Sequence, residues 1–119
     1  MDRLGDLHDM FRDSHIKAVF CARGGYGTTR LLDRIEYDLI RQNPKIIVGY
    51  SDITALLIAV QKRTGLITFH GPVVRGLASG HRGNYDNLIS LLSSARPLKL
   101  GLEKGAVLIP GKATGILTG

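Results

Sequence analysis

Tryptophan is absent from this 119-residue chain, proline occurs four times and cysteine once. A single cysteine, Cys21, cannot close an internal disulfide, so burial and hydrogen bonding must hold the fold. The same scarcity suits a reducing compartment, and a cytoplasmic location is the expectation. No apolar run approaches the ~20 residues that cross a bilayer. The segment from Met1 to Ser14 is polar and amphipathic, without the apolar core of a signal peptide. Also missing is any basic run interleaved with aromatics. Lys and Arg outnumber Asp and Glu by 16 to 10, a net charge of +6. Yet Arg23, Arg30, Arg34, Arg41, Lys45, Lys62, Arg63, Arg75 and Arg82 are scattered along the chain. That balance favours an anionic substrate but gives no nucleic-acid footprint. No His, Cys and carboxylate cluster has metal-ligand spacing, so neither a metal nor a cofactor is expected.

What is present is glycine, at 15 residues, and a hydrophobic share of 44%. Many glycines with few prolines predict tight turns between regular elements, and the length fits one core of ordinary domain size. Leu4, Leu7 and Phe11 recur at helical spacing, which predicts a helix over 2–13. Apolar runs at 16–22 and 45–49 read as buried strands of a parallel sheet, and 67–70 reads as a third strand. Helices are expected over 28–34, 38–42, 53–63 and 84–94, the third apolar almost all round and the last with Leu88, Leu91 and Leu92 inward. His8, His15 and His81 read as surface residues, and Cys21 as a small apolar one. The alternation predicts a Rossmann-like α/β fold, a parallel sheet flanked by helices over 1–96. Residues 97–119, with glycines spaced between short apolar pieces, read as a linker and the first strands of a β-rich second domain.

In such sheets, sites form where strands end at their carboxyl side. Three turns fall there. Gly49-Tyr50-Ser51-Asp52 joins a strand to a helix and would expose the Ser51 hydroxyl beside the first helical N–H groups, the logic of a nucleophile elbow. Ile53 stands where a Gly-x-Ser-x-Gly elbow has its second glycine. The competing reading makes Ser51 or Asp52 a simple helix N-cap. Arg23-Gly24-Gly25-Tyr26-Gly27 can cradle phosphate, offer N–H groups to an oxyanion, or merely turn the chain. His70, before Gly71-Pro72, is either a base for Ser51 or a hydrogen-bonded structural residue.

Taken together, Ala22-Arg23-Gly24-Gly25-Tyr26-Gly27, Asn43-Pro44-Lys45, Gly49-Tyr50-Ser51-Asp52-Ile53-Thr54-Ala55-Leu56 and Phe69-His70-Gly71-Pro72 resemble the LD-carboxypeptidase family. That family includes muropeptide LD-carboxypeptidases and microcin C immunity peptidases. The resemblance covers roughly residues 4–119. It implies a cytoplasmic, homodimeric serine peptidase with a Ser-Glu-His triad and a peptide or muropeptide substrate. Ser51 would be the nucleophile. The N–H of Asp52 and one from the Gly24-Gly25 pair, Gly25 favoured, would form the oxyanion hole. Arg23, Tyr50 and His70 would bind substrate or serve structure. The family's Glu and His lie in a C-terminal domain, and neither Glu36 nor Glu103 sits in the matching motif. The family's first strand and Ser-Pro opening segment have no counterpart here, and Gly115-Ile116-Leu117-Thr118-Gly119 resembles the start of its C-terminal domain. The resemblance therefore implies a middle piece of the enzyme, inactive alone. A non-catalytic phosphate- or nucleotide-binding module, built on the Gly24–Gly27 turn, is the reading from another class.

Overall fold

The computed structural model describes residues 2–78, 82–94 and 109–115. The first element is helix α1, Arg3–Arg12, capped by the Asp2 side chain on the Leu4 N–H. Its Leu4, Leu7 and Phe11 face inward, and Phe11 is fully buried. Three short strands follow at intervals: β1, Ala18–Phe20; β2, Ile46–Gly49; and β3, Phe69–His70. They form one parallel sheet in the order β1-β2-β3, with Val19 opposite Ile47 and Gly49 opposite His70. Parallel strands need crossover connections. The first crossover carries two single 3-10 turns, Thr28–Arg30 and Leu32–Arg34, and helix α2, Tyr37–Gln42. The second carries a 3-10 turn, Ser51–Ile53, and helix α3, Thr54–Thr64.

Side chains alternate across a strand, and the two faces of β2 go to different layers. Ile47 joins Val19 in a core with Leu4, Leu7, Phe11, Ile40, Leu56 and Val60, so α1, α2 and α3 cover that face. Val48, also fully buried, points the other way, where a Cβ at Gly71 would lie 3.2 Å from it and 3.4 Å from Leu88. Leu88 belongs to helix α5, Arg82–Ser93, which follows the short helix α4, Val74–Ala78. The molecule is thus a sheet between helical layers, the expected α/β architecture.

Several local expectations are corrected. The predicted helix over 28–34 is two 3-10 turns, and α4 was not anticipated. Helix α3 buries Leu56, Leu57 and Val60 but leaves Ile58 and Ala59 half-buried and Lys62 and Arg63 exposed, so it is not apolar-buried all round. In α5 Leu88 is inward, Leu92 half-buried and Leu91 exposed. His8 is buried, not superficial: its Nε2 accepts the Glu36 N–H at 3.1 Å, and its Nδ1 lies 3.4 Å from the Glu36 carboxylate. His15 is exposed as expected, and His81 lies outside the described residues. Residues 109–115 contain no regular element, and most of 97–119, where a second domain was expected to begin, lies outside the described residues.

At the amino-terminal ends of the strands, Lys45 is buried with its ammonium on the carbonyls of Asp13, 2.8 Å, and Ile16, 2.7 Å. A buried charge needs such partners. Asn43 binds the Leu39 carbonyl at the end of α2. The Asn43-Pro44-Lys45 motif thus fastens helix end and strand start.

At the other end, a Cβ on Gly49 would sit 2.5 Å from Ile53 Cγ2 and 3.4 Å from Cys21 Sγ. Ile53 folds back onto the bare backbone of Gly49, which is how a β-branched residue fits in the elbow. Gly49→Ala should therefore cost about 1–3 kcal/mol, the usual range for overpacking. In a double-mutant cycle followed by urea unfolding, the cost should shrink when Ile53 is also truncated to Ala. Additive losses would show that Ile53 is not the obstacle.

Candidate active site at the strand ends

The carboxyl ends of β1, β2 and β3 gather Cys21–Gly27, Tyr50–Asp52 and Gly71–Pro72. Their spacing is set by backbone bonds: the Cys21 N–H to the Val48 carbonyl at 3.1 Å and the Gly71 N–H to the Gly49 carbonyl at 3.0 Å. Ser51 leaves the central strand with φ 64°, the only non-glycine in the left-handed region among the described residues. That conformation costs a residue with a Cβ roughly 1–2 kcal/mol, and such strain collects at functional sites. The chain passes from extended Tyr50 through Ser51 into the 3-10 turn and α3. The serine side chain is exposed above the sheet.

The N-cap reading fails here. Neither the 3-10 turn nor α3 has a side-chain cap, and its flanking positions are Tyr50 and Ile53. Asp52 instead reaches away from its own helix. Its Oδ2 accepts the Thr28 N–H at 3.0 Å and the Thr28 hydroxyl at 2.6 Å. Arg3 of α1 donates to the same hydroxyl at 3.3 Å. Thr28 is buried and opens the 3-10 turn just after Gly27. The carboxylate therefore ties the glycine turn to the serine turn.

Gly24 makes the closest approach. A Cβ there would lie 3.0 Å from Ser51 Cβ and 3.2 Å from its Oγ. Gly25, at φ 118°, and Gly27, at φ 87°, turn the loop through conformations that suit glycine. The N–H groups of Gly24, Gly25 and Asp52 find no acceptor among the described residues.

The other flagged residues fall around this centre. Tyr50 and His70 meet edge to face, ring centroids 6.4 Å apart. His70 makes no hydrogen bond to Ser51, so the described structure does not place it as the serine's base. Arg23 and Tyr26 are exposed on the glycine turn. Burial pushes the Cys21 thiol up, against a smaller pull from Arg3, which leaves it a packed neutral group. No group of three metal-ligating side chains occurs among the described residues, and none of the helices searched there is long and apolar enough to cross a membrane. A cavity of about 300 Å³, bordered by Lys17, Lys45, Ile46, Ile67 and Phe69, lies at the amino ends of the strands, away from Ser51. The Asp52–Thr28 tie and the role of Gly49 were not evident beforehand. An acid after the serine and a threonine after the glycines were the only signals.

The Thr28 hydroxyl bond, with the Thr28 N–H and the Arg3 charge, holds the Asp52 carboxyl below its ordinary value of 3.8, partial burial opposing. A carboxyl depressed in the folded state stabilises above its unfolded value and loses that contribution as the pH falls through the folded one. Asp52→Ala should therefore be less stable than the parent at pH 7, with the gap closing as the pH drops below about 4. Urea unfolding of both proteins at pH 7 and pH 3 checks this. A gap that is constant with pH would show that the carboxylate's charge is not what holds the turn.

The geometry agrees with the comparisons to known proteins. The LD-carboxypeptidase N-terminal domain family matches residues 1–71. The chain is 45% identical over 124 residues to a probable murein peptide carboxypeptidase of Bacillus subtilis, covering 99% of this chain and 38% of that protein. It is 42% identical over 101 residues to the murein tetrapeptide carboxypeptidase of Pseudomonas aeruginosa, covering 81% of this chain and 33% of that protein. The solved structure of the microcin C7 self-immunity protein MccF, in complex with aspartyl sulfamoyl adenosine, superposes with a TM-score of 0.76 at 30% identity over 91% of this chain and 37% of that one. The chain thus spans roughly two fifths or less of these relatives. With its parallel sheet, its serine turn and its glycine turn, it belongs to the LD-carboxypeptidase family through that family's N-terminal domain.

Proposed function

We propose that this chain carries the nucleophile and the oxyanion hole of a serine carboxypeptidase that hydrolyses the L,D-amide bond of murein tetrapeptides. The observation that carries the reading is the left-handed Ser51 at the end of the central strand, with Gly24 close enough to touch its side chain. In this reading Ser51 Oγ attacks the scissile carbonyl and forms an acyl-enzyme while the terminal D-residue leaves as an amine. The N–H of Asp52, with one from the Gly24-Gly25 pair, stabilises the oxyanion, a contribution worth roughly 10²–10³ in rate per donor. The names of the two murein peptidase relatives support this substrate class.

A serine hydroxyl is a weak nucleophile until a base takes its proton. Among the described residues none is hydrogen-bonded to Ser51 Oγ. The general base and its orienting acid are therefore supplied from outside the described residues. Supported by the single cysteine and by the family, the reading includes a cytoplasmic homodimer. A second substrate, a peptidyl-nucleotide of the microcin type, is favoured by the likeness to MccF with its aminoacyl sulfamoyl adenosine. A phosphate-binding module is disfavoured, because the Thr28 N–H that a phosphate would use is already bonded to Asp52.

A fluorophosphonate probe tests the nucleophile. Ser51 should be labelled in the native chain about 100-fold or more faster than in urea, on the scale of an oxyanion-hole donor. Peptide mapping should place the adduct on Ser51 and not on Ser14, Ser79, Ser90, Ser93 or Ser94. Equal rates in the native and unfolded chain would refute the proposal.

A further inference from the structure

Two exposed arginines, Arg23 and Arg75, lie on backbone segments brought together at the carboxyl end of the sheet, which also bears the serine turn. Arg23 leaves the end of β1 and directly precedes Gly24, the residue that abuts Ser51. Arg75 lies in α4, far along the sequence, yet its backbone N–H donates to the Ala22 carbonyl at 3.0 Å. The Val74 N–H donates to the Cys21 carbonyl, also at 3.0 Å. These two bonds clip the start of α4 onto the segment leaving β1, so the backbones of residues 22–23 and 75 run side by side at the carboxyl end of the sheet. Both arginines are exposed, and neither guanidinium has a hydrogen-bond or carboxylate partner among the described residues. The carboxylate that belongs to the serine turn, Asp52, is already bound by Thr28. The carboxyl end of the sheet thus carries two arginines that no carboxylate among the described residues pairs with.

We propose that Arg23 and Arg75 together bind the carboxylate that ends the peptide substrate. The proposal rests on the reading of Ser51 as the nucleophile and deepens it. An enzyme that removes one terminal residue must recognise the chain end one residue beyond the bond it cuts, within about 3.5 Å of chain length. Guanidinium is suited to that recognition, since its planar fork matches a carboxylate with paired hydrogen bonds and its charge is permanent. The pair would also account for exopeptidase specificity: an internal peptide bond presents no anion at that distance.

The test uses the 119-residue chain and two probes, L-alanyl-γ-D-glutamyl-meso-diaminopimelyl-D-alanine and the same peptide with its D-alanine carboxyl converted to the carboxamide. Binding is measured by calorimetry or by backbone amide shifts. The acid should bind at least about tenfold more tightly than the amide, the scale of one charge-assisted hydrogen bond. Arg23→Gln and Arg75→Gln should each abolish that preference while leaving amide binding unchanged. Lys62→Gln, in the last turn of α3 at the far end of that helix, should keep it. So should Ser51→Ala, which separates this inference from the nucleophile itself: failure of Ser51 to label would overturn its catalytic role alone. Equal binding of acid and amide, binding of neither, or a preference that survives both arginine substitutions would overturn the carboxylate site.

Discussion

Everything at the functional end of this molecule depends on one backbone conformation, the left-handed turn at Ser51. It costs roughly 1–2 kcal/mol, and it persists only because its surroundings over-determine it. From below, β2 is the central strand, hydrogen-bonded on both sides and buried at Ile47 and Val48. From behind, Ile53 folds onto the bare Gly49 and locks the exit into α3. From the side, Gly24 lets a second loop approach to contact distance. Any side chain at either glycine would have to move one of these walls.

The second loop is not simply adjacent; it is fastened. Asp52, next to the serine, spends its carboxylate on Thr28 at the start of the first crossover, and Arg3 of α1 completes the chain. Three elements far apart in sequence are thereby held to one geometry, and the N–H groups of Gly24, Gly25 and Asp52 find no acceptor among the described residues. The opposite end of the sheet has the complementary design. There Lys45 and Asn43 spend their polar groups on backbone carbonyls, so these side chains fasten the fold.

The sheet was legible in the sequence because strands inside a parallel sheet are apolar without alternation, which holds best for the central run at 45–49; the run at 67–70 gave a strand although Ile67 and His70 are exposed. The strands are shorter than those runs, and residues left outside them, such as Ala22 and Ile67, are exposed. Other features were hidden for physical reasons. His8 read as polar surface, yet its ring fits the core by accepting the backbone N–H of Glu36, a partner 28 residues away, with the Glu36 carboxylate 3.4 Å from its other nitrogen. Asp52 read as a cap because its local option is a cap; a tertiary partner competed and won. Leu91 read as inward with Leu88, but it sits about 60° around the helix from Leu88, at the margin of the buried face, and is 38% exposed. The serine turn was legible as strand, small residues and helix. Its departure at Ile53 made sense only once Gly49 was seen beneath it.

The central claim is the proposal that Ser51, with the N–H groups of Asp52 and of the Gly24-Gly25 pair, forms a nucleophile and oxyanion hole that need a base from outside the described residues. The direct measurement is D-alanine release from murein tetrapeptide by this 119-residue chain, followed by mass spectrometry beside Ser51→Ala. The account predicts no release above that control. Turnover that disappears in Ser51→Ala would contradict it, and would mean that a base within the chain, His70 before any other, completes the site.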